Sequence, residues 1–152
     1  MPNQSAGILM YRFSDEVLEV LLVHPGGPFN RNKDLGAWSI PKGEFEPGED
    51  IFQTAVREFH EELGTRVAGE FVLLHSVRQS GGKTVHAYAV EGDLDAETIT
   101  SNLFQMEWPP RSGKFEDFPE VDRAQWFTIP TASQKINPAQ TAFLDELLTR
   151  LA

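Results

Sequence analysis

The chain is 152 residues long, with 13 Lys and Arg against 23 Asp and Glu, a formal charge of −10, and no Cys. The missing Cys excludes a disulfide framework, a thiolate-held zinc or iron–sulfur centre and a thiol nucleophile, and the acidic balance argues against indiscriminate nucleic-acid binding, which runs on Lys and Arg displacing counterions. At 40% hydrophobic and 24% charged residues the composition is that of a folded chain, and its length fits a single domain, 1–152.

Ser5 to Tyr11 and Leu18 to His24 read as strands joined around Ser14-Asp15-Glu16, followed by the loop His24-Pro25-Gly26-Gly27-Pro28. The run Val20-Leu21-Leu22-Val23 is the longest purely aliphatic one, far short of a membrane span. Met1 to Arg12 has neither the basic leader nor the apolar core of a signal peptide. A cytoplasmic protein is therefore expected, with monomer and homodimer both open. Trp38-Ser39-Ile40 is a short extended piece stopped by Pro41. The spacing of Phe52, Ala55, Val56, Phe59 and Leu63 predicts a helix over Ile51 to Leu63, with Asp50 as N-cap and Gly64 as the left-handed residue that ends it.

Val67 to Arg78 and Thr84 to Val90 read as strands paired across Ser80-Gly81-Gly82. Asn102 to Trp108 reads as a strand, Pro109 to Pro119 as a polar loop and Ala124 to Ile129 as the final strand. Pro138 to Leu151 reads as a helix capped by Asn137, with Phe143, Leu144, Leu147, Leu148 and Leu151 as its buried stripe. The fold class that follows is α/β (α+β), a sheet covered by helices.

The charge is concentrated. From Glu44 to Glu62 there are seven acids and one base, Arg57. At about 100° per residue, Glu61 falls about 60° to one side of Glu58 and Glu62 about 40° to the other, so three carboxylates share one arc of the helix. Such a cluster disfavours its own ionisation unless a cation sits within it. Hard oxygen donors suit Mg²⁺ or Mn²⁺. The loop Gly43 to Gly48 lets backbone approach the same ion, with the Gly43 carbonyl as an oxygen donor. Glu49 lies two turns before Arg57, and an ion pair between them would tie that loop to the helix.

Other signals weigh less. Gly82-Lys83-Thr84 ends like a phosphate-binding loop, but position 77 is Val, so a hairpin turn is the better reading. His60-Glu61 opens like a zinc-protease helix, but position 64 is Gly. His86 reads as a satisfied sheet residue and Trp126 as core. Trp108 and Phe115 flank the proline-rich loop, where base stacking and packing are equally open. Arg78, Lys83, Arg111 and Lys114 read as scattered surface bases able to steer an anionic substrate.

The stretch Gly43, Glu49, Arg57-Glu58-Phe59, Glu61-Glu62, Gly64 resembles the Nudix box, matching eight of its nine specified positions. The exception is Thr65, where an aliphatic residue is usual. The resemblance implies a Nudix fold, a mixed sheet sandwiched between helices. It further implies Mg²⁺- or Mn²⁺-dependent hydrolysis of a pyrophosphate linkage in a nucleoside diphosphate joined to another group. By position, Glu58, Glu61 and Glu62 would bind metal, with the Gly43 carbonyl alongside. The catalytic set would be Arg57, Glu58, Glu61 and an outside acid, Glu120 or Glu107, with the general base unassigned among the acids.

Trp38 to Gly43 and Glu46 to Glu49 look most like members acting on dinucleoside polyphosphates, diphosphoinositols or 5′-triphosphorylated RNA, and Lys42 would hold a phosphate. Nearly the whole chain, including Gln79 to Lys83, Glu107 to Gly113 and Phe118 to Asp122, resembles a bacterial group described as predicted nucleoside-triphosphate pyrophosphohydrolases. A small nucleotide is thus the expected partner, with Lys42, Trp108 and Lys114 on the substrate side. A nucleic acid is expected only as a 5′-triphosphate RNA end, which the net charge disfavours. The alternative of another class is a non-catalytic nucleotide-sensing module. Such modules usually lose box carboxylates, which this chain keeps.

Overall fold

Ser14 pairs with Val17 across a two-residue turn in which Asp15 and Glu16 both take positive φ, 49° and 67°. This turn matches the right-handed twist of paired strands, and it closes the hairpin of β1 (Gln4–Ser14) and β2 (Val17–Pro25). The structure is a computed structural model and describes residues 4–152. β1 is the hub. It pairs antiparallel with β2 and with β3 (Lys42–Phe45), and parallel with β6 (Lys83–Glu91). β9 (Val121–Thr128) pairs antiparallel on the far side of β2. Residues Ala6 to Met10 and Val20 to Val23 are buried on both faces of the sheet, which is why their sequence is a nearly continuous apolar run.

One face packs Ile8, Met10, Leu21 and Val23 against Ala55, Phe59 and Leu63 of α1 (Ile51–Leu63). The other packs Leu9, Val20, Leu22 and Phe127 against α2 (Ile129–Lys135) and α3 (Thr141–Leu151). The architecture is the expected sheet between helices. No helix among the described residues is long and apolar enough to cross a membrane.

Several elements differ from expectation. Only β4 (Val72–Leu73) and β5 (Val77–Gln79) of the 67–78 stretch pair with β6. Between them the His75 N–H leaves the ladder and donates to Glu146 Oε1 on α3 at 2.7 Å. The turn through Ser80-Gly81-Gly82 is the hairpin turn predicted, with both glycines at positive φ. The loop expected over 109–119 contains β8 (Phe115–Pro119), paired with β7 (Leu103–Glu107) in a separate two-stranded sheet. The prolines sit at the ends of that stretch and leave Phe115 to Phe118 free to pair.

Lys42–Phe45 is a strand, not part of the loop before the helix. α2 was not foreseen, and the last helix begins as a 3₁₀ turn, Pro138–Gln140. Asn137 caps that turn by accepting from the Ala139 N–H at 2.9 Å. Leu148 and Leu151 are exposed, so the buried stripe of α3 is only Phe143, Leu144 and Leu147. Trp126 is half buried, with the Arg12 guanidinium 4.1 Å from its ring centroid.

Candidate active site

The helix that carries the carboxylates forms as its sequence dictates. The Asp50 side chain accepts from the Gln53 N–H at 2.9 Å, and Gly64 closes the helix at φ 76° with its N–H on the His60 carbonyl. Its buried positions are Thr54, Ala55, Phe59, Glu62 and Leu63. Glu62 is thus a carboxylate on the buried flank, 8% exposed. It faces a cleft of about 140 Å³ together with Lys42 and Glu120, walled by Pro25, Ser39 and Val121. Lys42 comes from β3, Pro25 from β2 and Glu120 from the turn before β9.

Glu58 lies against the backbone of β3. A methyl group on Gly43 would overlap the Glu58 carboxyl, so the bare glycine makes room for it. Gly43 is itself fixed opposite Ala6 in the β1–β3 ladder. Arg57 Nη1 is 3.2 Å from Glu61 Oε1 and 3.8 Å from Glu58 Oε1. The pair expected between Arg57 and Glu49 does not form. Glu49 instead accepts from the Glu46 N–H at 2.8 Å and closes its own turn, while Arg57 finds Glu61 one helical turn away.

The carboxylates raise one another's proton affinity. Burial first, then Glu58 and Glu120, push Glu62 up to about 8. Burial and then Glu61 push Glu58 up to about 7. Glu120 also moves upward, by burial and by Glu61. Lys42 is pushed down, first by burial and then by Lys83, although Glu62 opposes that shift.

Among the described residues no three carboxylate or imidazole groups already converge on one point. The donor chemistry nonetheless fits a small hard divalent cation. Glu58, Glu61 and Glu62 are acidic oxygens on one helix, Gly43 leaves its backbone open beside Glu58, and a bound positive charge would offset the burial that raises the proton affinity of Glu58 and Glu62.

Of the residues predicted from sequence, the fold gathers Lys42, Gly43, Arg57, Glu58, Glu61, Glu62 and Glu120. Glu107 is committed elsewhere, accepting from the Arg111 and Gly113 N–H groups at 3.0 and 3.1 Å and so bracing the β7–β8 turn. Trp108 packs edge-on to Phe29 at 5.3 Å, and its backbone N–H donates to the Lys114 carbonyl. Neither Trp108 nor Lys114 lines the cleft. His86 bonds Gln4 Oε1 at 2.7 Å, as a sheet residue. Sequence reasoning missed Gln140, which is fully buried and accepts from the Ile40 N–H at 3.1 Å, holding the segment before Lys42. No local spacing could have joined residues so far apart in the chain.

A family model described as NUDIX domain matches residues 1–147. Nucleoside diphosphate-linked moiety X motif 6 of Mus musculus is 54% identical over 50 residues, 33% of this chain and 15% of the mouse protein. Bis(5′-nucleosyl)-tetraphosphatase [asymmetrical] of Caenorhabditis elegans is 37% identical over 62 residues, 41% of each chain. The matched stretches span less than half the length of these curated relatives. Among solved structures, the NUDIX domain of Shewanella oneidensis NrtR complexed with ADP ribose superposes with a TM-score of 0.68 at 17% identity, over 100% of this chain and 90% of that one. A binary complex of C. elegans Ap4A hydrolase superposes with a TM-score of 0.65 at 21% identity, over 98% and 97%.

Proposed function

The chain belongs to the Nudix family, and from that premise we propose that it is a divalent-metal-dependent pyrophosphohydrolase acting on a nucleoside diphosphate linked to a further group. A nucleoside triphosphate or a dinucleoside polyphosphate is the best-supported substrate. The observation that carries the reading is the gathering of Glu58, Glu61, Glu62 and Glu120 beside Lys42 and the bare backbone of Gly43. A purely structural domain has no use for that much self-repulsion.

In this reading Glu58, Glu61, Glu62 and the Gly43 carbonyl hold Mg²⁺ or Mn²⁺, which supplies charge neutralisation and polarisation of the pyrophosphate. Lys42 meets a phosphoryl oxygen as a point charge. Arg57 restrains Glu61 and Glu58. Glu120 takes the proton of the attacking water. Its raised proton affinity brings it nearer the working pH, where a general base is most effective. Trp108 and Lys114, at the two ends of the β7–β8 turn, would meet the distal part of a long substrate.

The test is a hydrolysis screen with Mg²⁺ and then Mn²⁺, products resolved by chromatography, with Glu62→Gln as blank. The panel holds nucleoside triphosphates, dinucleoside polyphosphates, ADP-ribose, diphosphoinositols and triphosphorylated RNA. One substrate turned over far above the blank is the expected result. ADP-ribose or another nucleotide bound but never hydrolysed would replace the enzyme reading with that of a sensor.

A further inference from the structure

His24 is fully buried, yet both of its ring nitrogens are bonded to oxygen. Nδ1 lies 2.8 Å from Asp122 Oδ1 and Nε2 2.7 Å from the Lys33 carbonyl. The ring also meets Trp38 edge-on, with centroids 5.1 Å apart. The Lys33 carbonyl can only accept, so Nε2 carries the hydrogen of that bond, and Nδ1 is left to bond Asp122. An aliphatic side chain would fill this space without the cost of burying two polar atoms. The pair therefore holds something in place.

What it holds is a slip in the sheet. β2 and β9 pair residue for residue from Glu19 with Thr128 to His24 with Arg123, and then Pro25 faces Val121. Asp122 is the extra residue, and such a bulge re-aims whatever follows it. The slip sends Val121 into the core on the α1 side and leaves Glu120 beside Glu62 and Lys42. On its far side the Gly26 N–H bonds the Glu120 carbonyl at 2.9 Å. A side chain on Gly26 would overlap the Pro119 carbonyl, so the two backbones touch there. Arg123 adds a weaker contact to Asp122, 3.7 Å from Oδ1.

We propose that His24 and Asp122 are positioning residues for Glu120: their bond locks the β2–β9 bulge and thereby aims the Glu120 carboxylate at Glu58, Glu61 and Glu62. The proposal rests on the hydrolase reading above for its effect on rate, but not for its effect on structure.

The experiment measures kcat, KM and Gly26 amide hydrogen exchange in Asp122→Ala and Asp122→Asn, alone and combined with Glu120→Gln. Asp122→Ala is expected to lower kcat about tenfold to a hundredfold, as a misplaced catalytic group does, with KM within about twofold. Its Gly26 N–H exchanges faster. Asp122→Asn keeps a hydrogen-bond partner for Nδ1, its side-chain N–H donating to that nitrogen, and stays nearer wild type in both readouts. In the Glu120→Gln background, Asp122→Ala costs nothing more, because the two act as one unit. Wild-type kcat in Asp122→Ala, or a loss that adds in full to that of Glu120→Gln, overturns the proposal. If the wild-type protein hydrolyses nothing on the panel, the hydrolase reading fails. Gly26 exchange then still decides the lock, faster exchange supporting it and unchanged exchange overturning it.

Discussion

Gly43 shows how much one missing side chain settles. It lies in a strand, where glycine weakens pairing, but the Glu58 carboxyl occupies the space a Cβ would take. Gly43→Ala keeps the β1–β3 ladder and pushes that carboxyl out of the space the new methyl takes. Turnover should fall about a hundredfold, the cost of misplacing a catalytic group by about 1 Å, while far-UV circular dichroism stays that of the parent. Undiminished turnover would remove Glu58 from the site. The residues of this cluster were legible because they recur along one helix and one adjoining loop, where spacing alone fixes who faces whom. Glu120 could be named only as one acid among several outside the helix. Glu107 was an equal candidate until the structure showed its carboxylate holding the Arg111 and Gly113 amides. Asp122 and His24 carried no signal, since 98 residues separate them in the chain.

At the scale of elements, α1 was legible to the residue because it is punctuated at both ends. Asp50 satisfies the free amide of Gln53 in the first turn and Gly64 turns the chain out of the helix. Asp50→Ala should cost about 1 kcal/mol of stability, the usual value of such a cap. Its urea midpoint should fall at unchanged m-value, while KM for the best substrate stays at the wild-type value. A changed KM would mean that Asp50 takes part in the site. The elements misread from sequence are those defined by partners rather than by local pattern. β8 exists because β7 lies beside it. The 67–78 stretch is broken because Glu146 of α3 takes the His75 amide. Leu148 and Leu151 follow helical spacing, yet both stay exposed, so spacing alone overstates the buried stripe of α3.

At the scale of the whole molecule, the carboxylate cluster is a built-in instability that the proposed cation would relieve. Glu58 and Glu62 have ordinary values of 4.5 but titrate near 7 and 8 in the fold. Between these limits the folded protein holds protons that the unfolded chain has released, so stability falls as pH rises. Glu120 adds to the same slope. His86, held down by burial, offsets part of it near 6.5, and Lys42 works the other way toward 10.5. Asp34 and Glu146, held below 3.8 and 4.5, matter only at lower pH. The metal-free protein should therefore lose melting temperature from pH 5.5 to pH 8.5. Mg²⁺ binds only the deprotonated carboxylates of the folded chain, so its stabilisation should be small at pH 5.5 and grow toward pH 8.5. Scanning calorimetry at pH 5.5, 7.0 and 8.5, with and without Mg²⁺, reads both trends. A metal-induced gain that is the same at all three values would mean that the cation binds somewhere other than Glu58 and Glu62. Glu62→Gln should flatten the metal-free slope and reduce the gain, because it removes one titrating group and one proposed ligand together.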